Sequence, residues 1–255
     1  MIVFAGPSLA GAEIPDHGAF EIRPPAGQGD VYLATLDEPP AIGVIDGYFE
    51  GVPSVWHKEI LWALSRGIAV LGASSMGALR AAELDAFGMI GVGEIYEAYR
   101  DGIWDDDDEV ALVHGPAELG HPPLTVAMAN VRATVRAAVG AGVITADQAE
   151  AVTTIAKVQF FKSRTWESIL AGLPSSAFPA EPFGAWLAGN EVDQKQRDAL
   201  ALIARMSAGD LPTPNADFHF EQTQLWVRKT REWRQRRVPD QAIDPAGYSL
   251  LGELE

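Results

Sequence analysis

The sequence contains no cysteine. That absence excludes disulfides, a thiolate nucleophile, a persulfide carried on the chain and any cysteine zinc site. Positive charge is scarce: 19 Lys and Arg stand against 35 Asp and Glu, a net charge of −16. Such a chain repels phosphates, so no nucleic-acid partner is expected. Long apolar runs are missing too. No stretch approaches the roughly 20 residues of a membrane span. The opening MIVFAGPSL lacks the basic start and the length of a signal peptide. No membrane contact and a cytoplasmic location are the expectations. Neither G-x-G-x-x-G nor a P-loop occurs, and no histidine pair has zinc spacing. No metal and no cofactor are expected.

What is present is a globular composition. Hydrophobic residues make up 47% of 255 positions, enough for one large domain or two small ones. IVFAGPS (2–8), AFEIRP (19–24), AIGVIDG (41–47), IAVLGA (68–73) and VALVHGP (110–116) read as short strands. DVYLATL (30–36) is ambiguous between a short helix and a turn. Helices are expected from Pro53-Ser54 to about Arg66 and over SMGALRAAELDAF (75–87). The alternation predicts an α/β fold, a Rossmann-like or flavodoxin-like parallel sheet flanked by helices, over residues 1–121. From about Pro122 the pattern becomes all-helical. Leu124, Met128, Val131, Val135 and Val139 share a stripe, and Thr145 with Gln148 forms a capping box. Further helices are expected near 165–171, 182–188, 191–207 and 217–236. Residues 122–237 make a helical domain on this reading, and 238–255 a loop-like tail.

Ligands of open parallel sheets bind beyond the carboxyl ends of the strands. Here those ends carry Gly6-Pro7-Ser8, Asp46-Gly47-Tyr48, Ala73-Ser74-Ser75 and His114-Gly115-Pro116. The turn ASSMG approximates the G-x-S-x-G nucleophile elbow, with one glycine out of place. Ser75 fits the nucleophile position slightly better than Ser74; a serine that only caps the helix is an equal alternative. The helix N-terminus there suits an anion. Arg80, on the same helix, either clamps a carboxylate or pairs with Glu83. His57, near a helix N-terminus, is held neutral as a candidate base with Asp46 to orient it; taken alone, it is more simply a cap. His114 is the second candidate base, and His121 reads as structural. WDDDDE (104–109) lacks calcium-loop spacing and reads as a solvated turn. Arg228, Lys229, Arg231, Arg234, Arg236 and Arg237 form a basic run, either a solvated face or a dock for an acidic partner.

Taken together, VFAGPSL, IDGYFEGVPSVWHKEILWALSRG, VLGASSMGALRAAEL, FGMIGVGEIY and DDEVALVHGPAE resemble the TfuA-like family. The resemblance covers roughly the first half of the chain. It implies partnership with a YcaO-type ATP-dependent enzyme that activates a peptide backbone amide. It further implies hydrolysis of the C-terminal glycyl thiocarboxylate of a ubiquitin-like sulfur carrier, freeing sulfide for thioamide formation. The expected catalytic set is Ser75, His57 or His114, Asp46 and Arg80. Gly6, Pro7, Ser8, Gly47, Tyr48, Ser74, Gly77 and Gly115 are expected to bind the tail. The zero-cysteine count fits, because sulfur must then come from another carrier. A stand-alone serine hydrolase and a non-catalytic allosteric scaffold for the partner are the rival functions.

Overall fold

Five short strands form one parallel sheet: β1 (Ile2–Phe4), β2 (Glu21–Arg23), β3 (Ala41–Val44), β4 (Ala69–Ala73) and β5 (Ile90–Val92). Their order is β2-β1-β3-β4-β5, the flavodoxin-like order, which reverses between β1 and β3. The computed structural model describes residues 1–14, 17–174, 178–211, 214 and 218–236. Alternate residues of a strand face opposite sides, and the apolar runs supply both sides. Ile2, Phe4, Ile42, Val44 and Val70 pack on α1 (Asp30–Thr35), α2 (His57–Ser65) and α3 (Met76–Leu84). Val3, Ile45, Leu71 and Ala73 pack on Ala199, Leu202, Ile203 and Met206 of α9 (Gln194–Ser207). All three crossover helices therefore cover one face. A helix from the C-terminal part covers the other.

The expected α/β sheet flanked by helices is what forms, and DVYLATL resolves as a helix. Two local expectations differ. FGMIGVGEIY supplies β5 and α4 (Glu94–Arg100), which the strand pattern did not single out. Residues 110–116 are irregular, with one bridge from His114 to Pro123. Their backbone is satisfied otherwise: Thr125 Oγ1 accepts the Val113 N–H at 2.8 Å, and Val113 O accepts the Leu124 N–H at 2.8 Å. Beyond α5 (Met128–Gly140) come α6 (Ala146–Lys157), α7 (Trp166–Ala171) and α8 (Ala180–Asn190), joined around Val131, Val152, Ile169 and Phe183. Leu124 lies ahead of α5 and is exposed. The capping box at α6 forms as read, with Gln148 N–H donating to Thr145 Oγ1 at 3.2 Å.

The acidic turn is tied down rather than merely solvated. Glu109 is buried and accepts two bonds from Arg132, at 2.8 and 2.9 Å. Lys157 reaches Asp106, Asp108 and Glu109, and the fully buried Arg164 donates to Asp108 at 2.7 Å. In the basic helix α10 (Gln224–Arg236), Trp226 and Trp233 lie seven residues apart on one buried face. They pack against Tyr32, while Arg234 Nε donates to the Tyr32 hydroxyl at 2.6 Å. Arg237 and residues 238–255 lie outside the described residues.

Glu59 holds α1 to α2. Its buried carboxylate accepts N–H groups from Gly29 at 2.9 Å, Trp56 at 3.1 Å and Tyr32 at 3.2 Å. Burial nevertheless pushes its pKa from 4.5 up to about 7, against the pull of those bonds. The folded protein then keeps a proton that the unfolded chain has lost between pH 4.5 and about 7, so this group's contribution to stability falls as pH rises through that window. Glu59→Gln cannot titrate. The melting-temperature difference, variant minus parent, should rise from pH 4.5 to 7 and level off above; a difference independent of pH refutes this account.

Candidate active site

Three strand ends meet where the strand order reverses. Asp46, buried just after β3, binds the turn that follows β1. Its Oδ2 accepts the N–H groups of Gly6 at 2.8 Å and Ser8 at 3.0 Å, and its Oδ1 accepts the Ser8 hydroxyl at 2.7 Å. The Ser74 hydroxyl donates to Ser8 Oγ at 2.8 Å. A chain Ser74–Ser8–Asp46 thus joins the ends of β4, β1 and β3.

The β4–α3 turn explains the displaced glycine. Ser74 has φ +67°, a strained value for a residue with a side chain. A Cβ on Gly77 would lie 1.7 Å from Val44 O, and one on Gly72 would lie 2.1 Å from Gly77 O. Both glycines therefore serve close packing of α3 on the strands. Gly72 precedes the strained serine by two positions, and Gly77 follows it by three. The extra residue is Ser75. Ser74 turns its hydroxyl inward to Ser8, whereas Ser75 lines a cleft of about 450 Å³.

At the floor of that cleft, Lys195 Nζ lies 3.1 Å from Ser75 Oγ and donates to Val110 O at 2.7 Å. Lys195 belongs to α9 and is buried. Desolvation holds its pKa below the usual lysine value, opposed by the charges of Asp46 and Asp193. A lysine of lowered pKa within hydrogen-bond reach of a hydroxyl is a group that can exchange a proton with it. At the mouth of the turn, Gly77 N–H goes to Ile45 O at 3.2 Å. Met76 N–H, at the first position of α3, is among those that the helix itself cannot satisfy. It follows Ser75 directly, the place of an oxyanion donor in a nucleophile elbow.

Residues 46–165 match the family model described as TfuA-like protein. This stretch belongs to the TfuA-like family. No curated protein matches the chain. The TfuA-like stretch includes Asp46 and Ser75; Lys195 lies beyond it.

The candidate residues divide into two groups. Pro7, Asp46, Gly47, Tyr48, Ser75, His114 and Gly115 line the cleft. Gly6, Ser8 and Ser74 lie in the turns that support it, and Gly77 in the first turn of α3. His57 and Arg80 do not line it. His57 Nε2 is 2.8 Å from Glu83 Oε2 on an exposed surface. Arg80 donates to the same carboxylate at 2.6 Å and to Val55 O at 3.0 Å. Helix α2 begins at His57, capped at Trp56 instead of Ser54, and Glu59 takes the third position. Asp46 is bonded to Ser8, with no histidine between. His114 Nδ1 donates to Gly115 O at 2.8 Å, and its ring meets His121 edge-on at 5.1 Å. His121 also lines the cleft, and burial and His114 lower its pKa. Among the described residues, no group of three or more His, Asp or Glu side chains is placed to hold a metal.

Lys195 belongs to none of the sequence motifs. Its signal was the stripe Lys195, Ala199, Leu202, Met206, which puts the lysine on the apolar face of α9.

The Asp46 junction has a direct consequence for stability. Asp46→Ala strands two buried N–H groups and a hydroxyl, and is expected to cost about 3 kcal/mol or more. Asp46→Asn can keep an acceptor toward Gly6 and Ser8 N–H and donate to Ser8 Oγ, at about 1 kcal/mol. Urea unfolding of the two variants checks the ranking, and equal losses would contradict it.

Proposed function

We infer that the chain hydrolyses the C-terminal thiocarboxylate of a ubiquitin-like sulfur carrier and supplies sulfide to a YcaO-type, ATP-dependent partner. The observation that carries this reading is the Ser75–Lys195 pair, 3.1 Å apart in a cleft at the strand ends. Membership of the TfuA-like family supports the partner and the substrate class. The absence of cysteine supports release of sulfide over its storage on the chain.

In this mechanism neutral Lys195 takes the Ser75 proton as Oγ attacks the thiocarboxyl carbon. The developing oxyanion faces Met76 N–H and the N-terminus of α3. Lys195 then passes its proton to sulfur, the C–S bond breaks, and hydrosulfide leaves. Water attacks the acyl ester, giving a proton to Lys195, which returns it to Ser75 Oγ. One water is consumed; a carboxylate, a hydrosulfide and a proton are released. Pro7, Gly47, Val110, Leu112 and Gly115 line the cleft that would take the glycine-bearing tail. His57 and Arg80 have no place in this scheme, and His114 contributes to the wall.

The test uses thiocarboxylated carrier and a sulfide assay. Ser75→Ala and Lys195→Met should each lower sulfide release by about a hundredfold or more. Met keeps the length of the buried stem and removes the amine; Val110 O then lacks its donor, so Lys195→Met should fold with a loss of about 1–3 kcal/mol, read by urea unfolding. Activity retained in both variants would eliminate the dyad. Full stimulation of the partner by both variants would favour the scaffold function instead. Turnover of small esters without any carrier would favour a stand-alone hydrolase.

A further inference from the structure

We propose that the outer face of α10 is the docking surface for the sulfur carrier, meeting an acidic face of that protein beside the cleft. The proposal rests on the hydrolase reading above and names the surface that holds its substrate. Helix α10 carries Arg228, Lys229, Arg231, Arg234 and Arg236 against one acid, Glu232, in a chain whose net charge is −16. The local field is opposite in sign to that of the whole molecule.

The fold makes little use of those cations. Trp226 and Trp233 bury the inner face of α10 against Tyr32. Arg228 and Arg231 lie on the opposite side of the helix and are exposed. Lys229 pairs with Glu232 at 2.8 Å, and Arg234 donates to the Tyr32 hydroxyl. Arg228 comes only within 3.9 Å of Glu232. Among the described residues, Arg231 and Arg236 form no ion pair.

The far end of α10 stands next to the cleft. Trp233 packs on Gly29, where an added Cβ would meet its ring at 2.7 Å, and on Trp56, with ring centroids 5.6 Å apart. Gln28 N–H, one residue before Gly29, donates to Pro53 O at 2.8 Å. Val52, the residue before Pro53, lines the cleft. One segment, residues 27–30, therefore separates the basic helix from the cleft wall. That wall carries Asp46, Glu50 and Glu118, so a thiocarboxylate anion approaches against charge. An attractive field beside the entrance offsets the repulsion and holds the carrier while its tail enters. A long polyanion such as a nucleic acid would meet the acidic remainder of the surface. A compact protein with one acidic face is the occupant that fits.

The test is the double charge reversal Arg228→Glu with Arg231→Glu. Both side chains are exposed and neither lines the cleft, so the labelling rate of Ser75 by a small fluorophosphonate should stay within about twofold. Affinity for the carrier without its thiocarboxylate is measured by fluorescence anisotropy at low salt, about 20 mM. It should weaken by about tenfold or more, with KM for sulfide release rising alike and kcat unchanged. The difference should close at about 0.5 M salt, where charge attraction is screened. Unchanged affinity and KM overturn the proposal. Weakening that persists undiminished at high salt overturns it as well, because charge is then not the cause. So does a loss confined to stimulation of the ATP-dependent partner, which would give the face to that protein. Failure of the hydrolase reading is seen separately, as absence of sulfide release by the parent chain, while the affinity measurement still reads the dock.

Discussion

The site depends on keeping one amine out of water. Lys195 Nζ has Val110 O and Ser75 Oγ as its partners, and three separate parts of the chain hold it there. Packing of Ala199, Leu202 and Met206 on the sheet fixes the roll of α9. Asp193 caps that helix through Gln196 N–H at 2.9 Å, and Asp198 accepts the Ile95 N–H at 2.8 Å. The acidic turn, clamped by Arg132, Lys157 and Arg164, leads directly into Val110 and so fixes the carbonyl it offers. Buried charges of this kind are stable only with their partners in place. Displacing any one of these parts would bring solvent to the amine and raise its basicity toward that of an ordinary lysine.

Asp46 balances that depression. It ties the ends of β1 and β3 through Gly6 and Ser8, and its charge also favours the protonated amine. Burial and Asp46 thus act on Lys195 in opposite directions. The strain at Ser74 has its compensation in the same network, since the inward hydroxyl of Ser74 completes the chain to Asp46. The turn can then project the next serine, Ser75, into the cleft.

Much of this was legible in the residues. The apolar strand runs and the polar ends at Gly6–Ser8, Asp46–Tyr48 and Ser74–Ser75 located the sheet and the cleft, because parallel strands carry their ligands at one end. The apolar run misread residues 110–116, whose Val110, Leu112 and Val113 line a cleft while the backbone at Val113 and Gly115 is satisfied by residues 122–125. His57 drew attention as a helix-terminal imidazole, yet helix register depends on which residue caps, and Trp56 holds that position. Lys195 escaped notice for another reason. It stands among Gln194, Gln196, Arg197 and Asp198, where a lysine reads as solvent-facing, and only the tertiary contact of α9 with the sheet buries it.

The boundary of the TfuA-like match gives that lysine a further meaning. The match ends at residue 165, thirty positions short of Lys195. Ser75 and Lys195, the nucleophile and base of the proposed mechanism, thus fall on opposite sides of the boundary of the region by which a relative would be recognised. A homologue could retain every motif around Ser75, and the whole sheet, while carrying methionine or leucine at this place in α9. It would be a faithful copy of the architecture with its chemistry switched off. On the proposed mechanism, one side chain outside the defining region would then separate the active from the silent members of such a lineage.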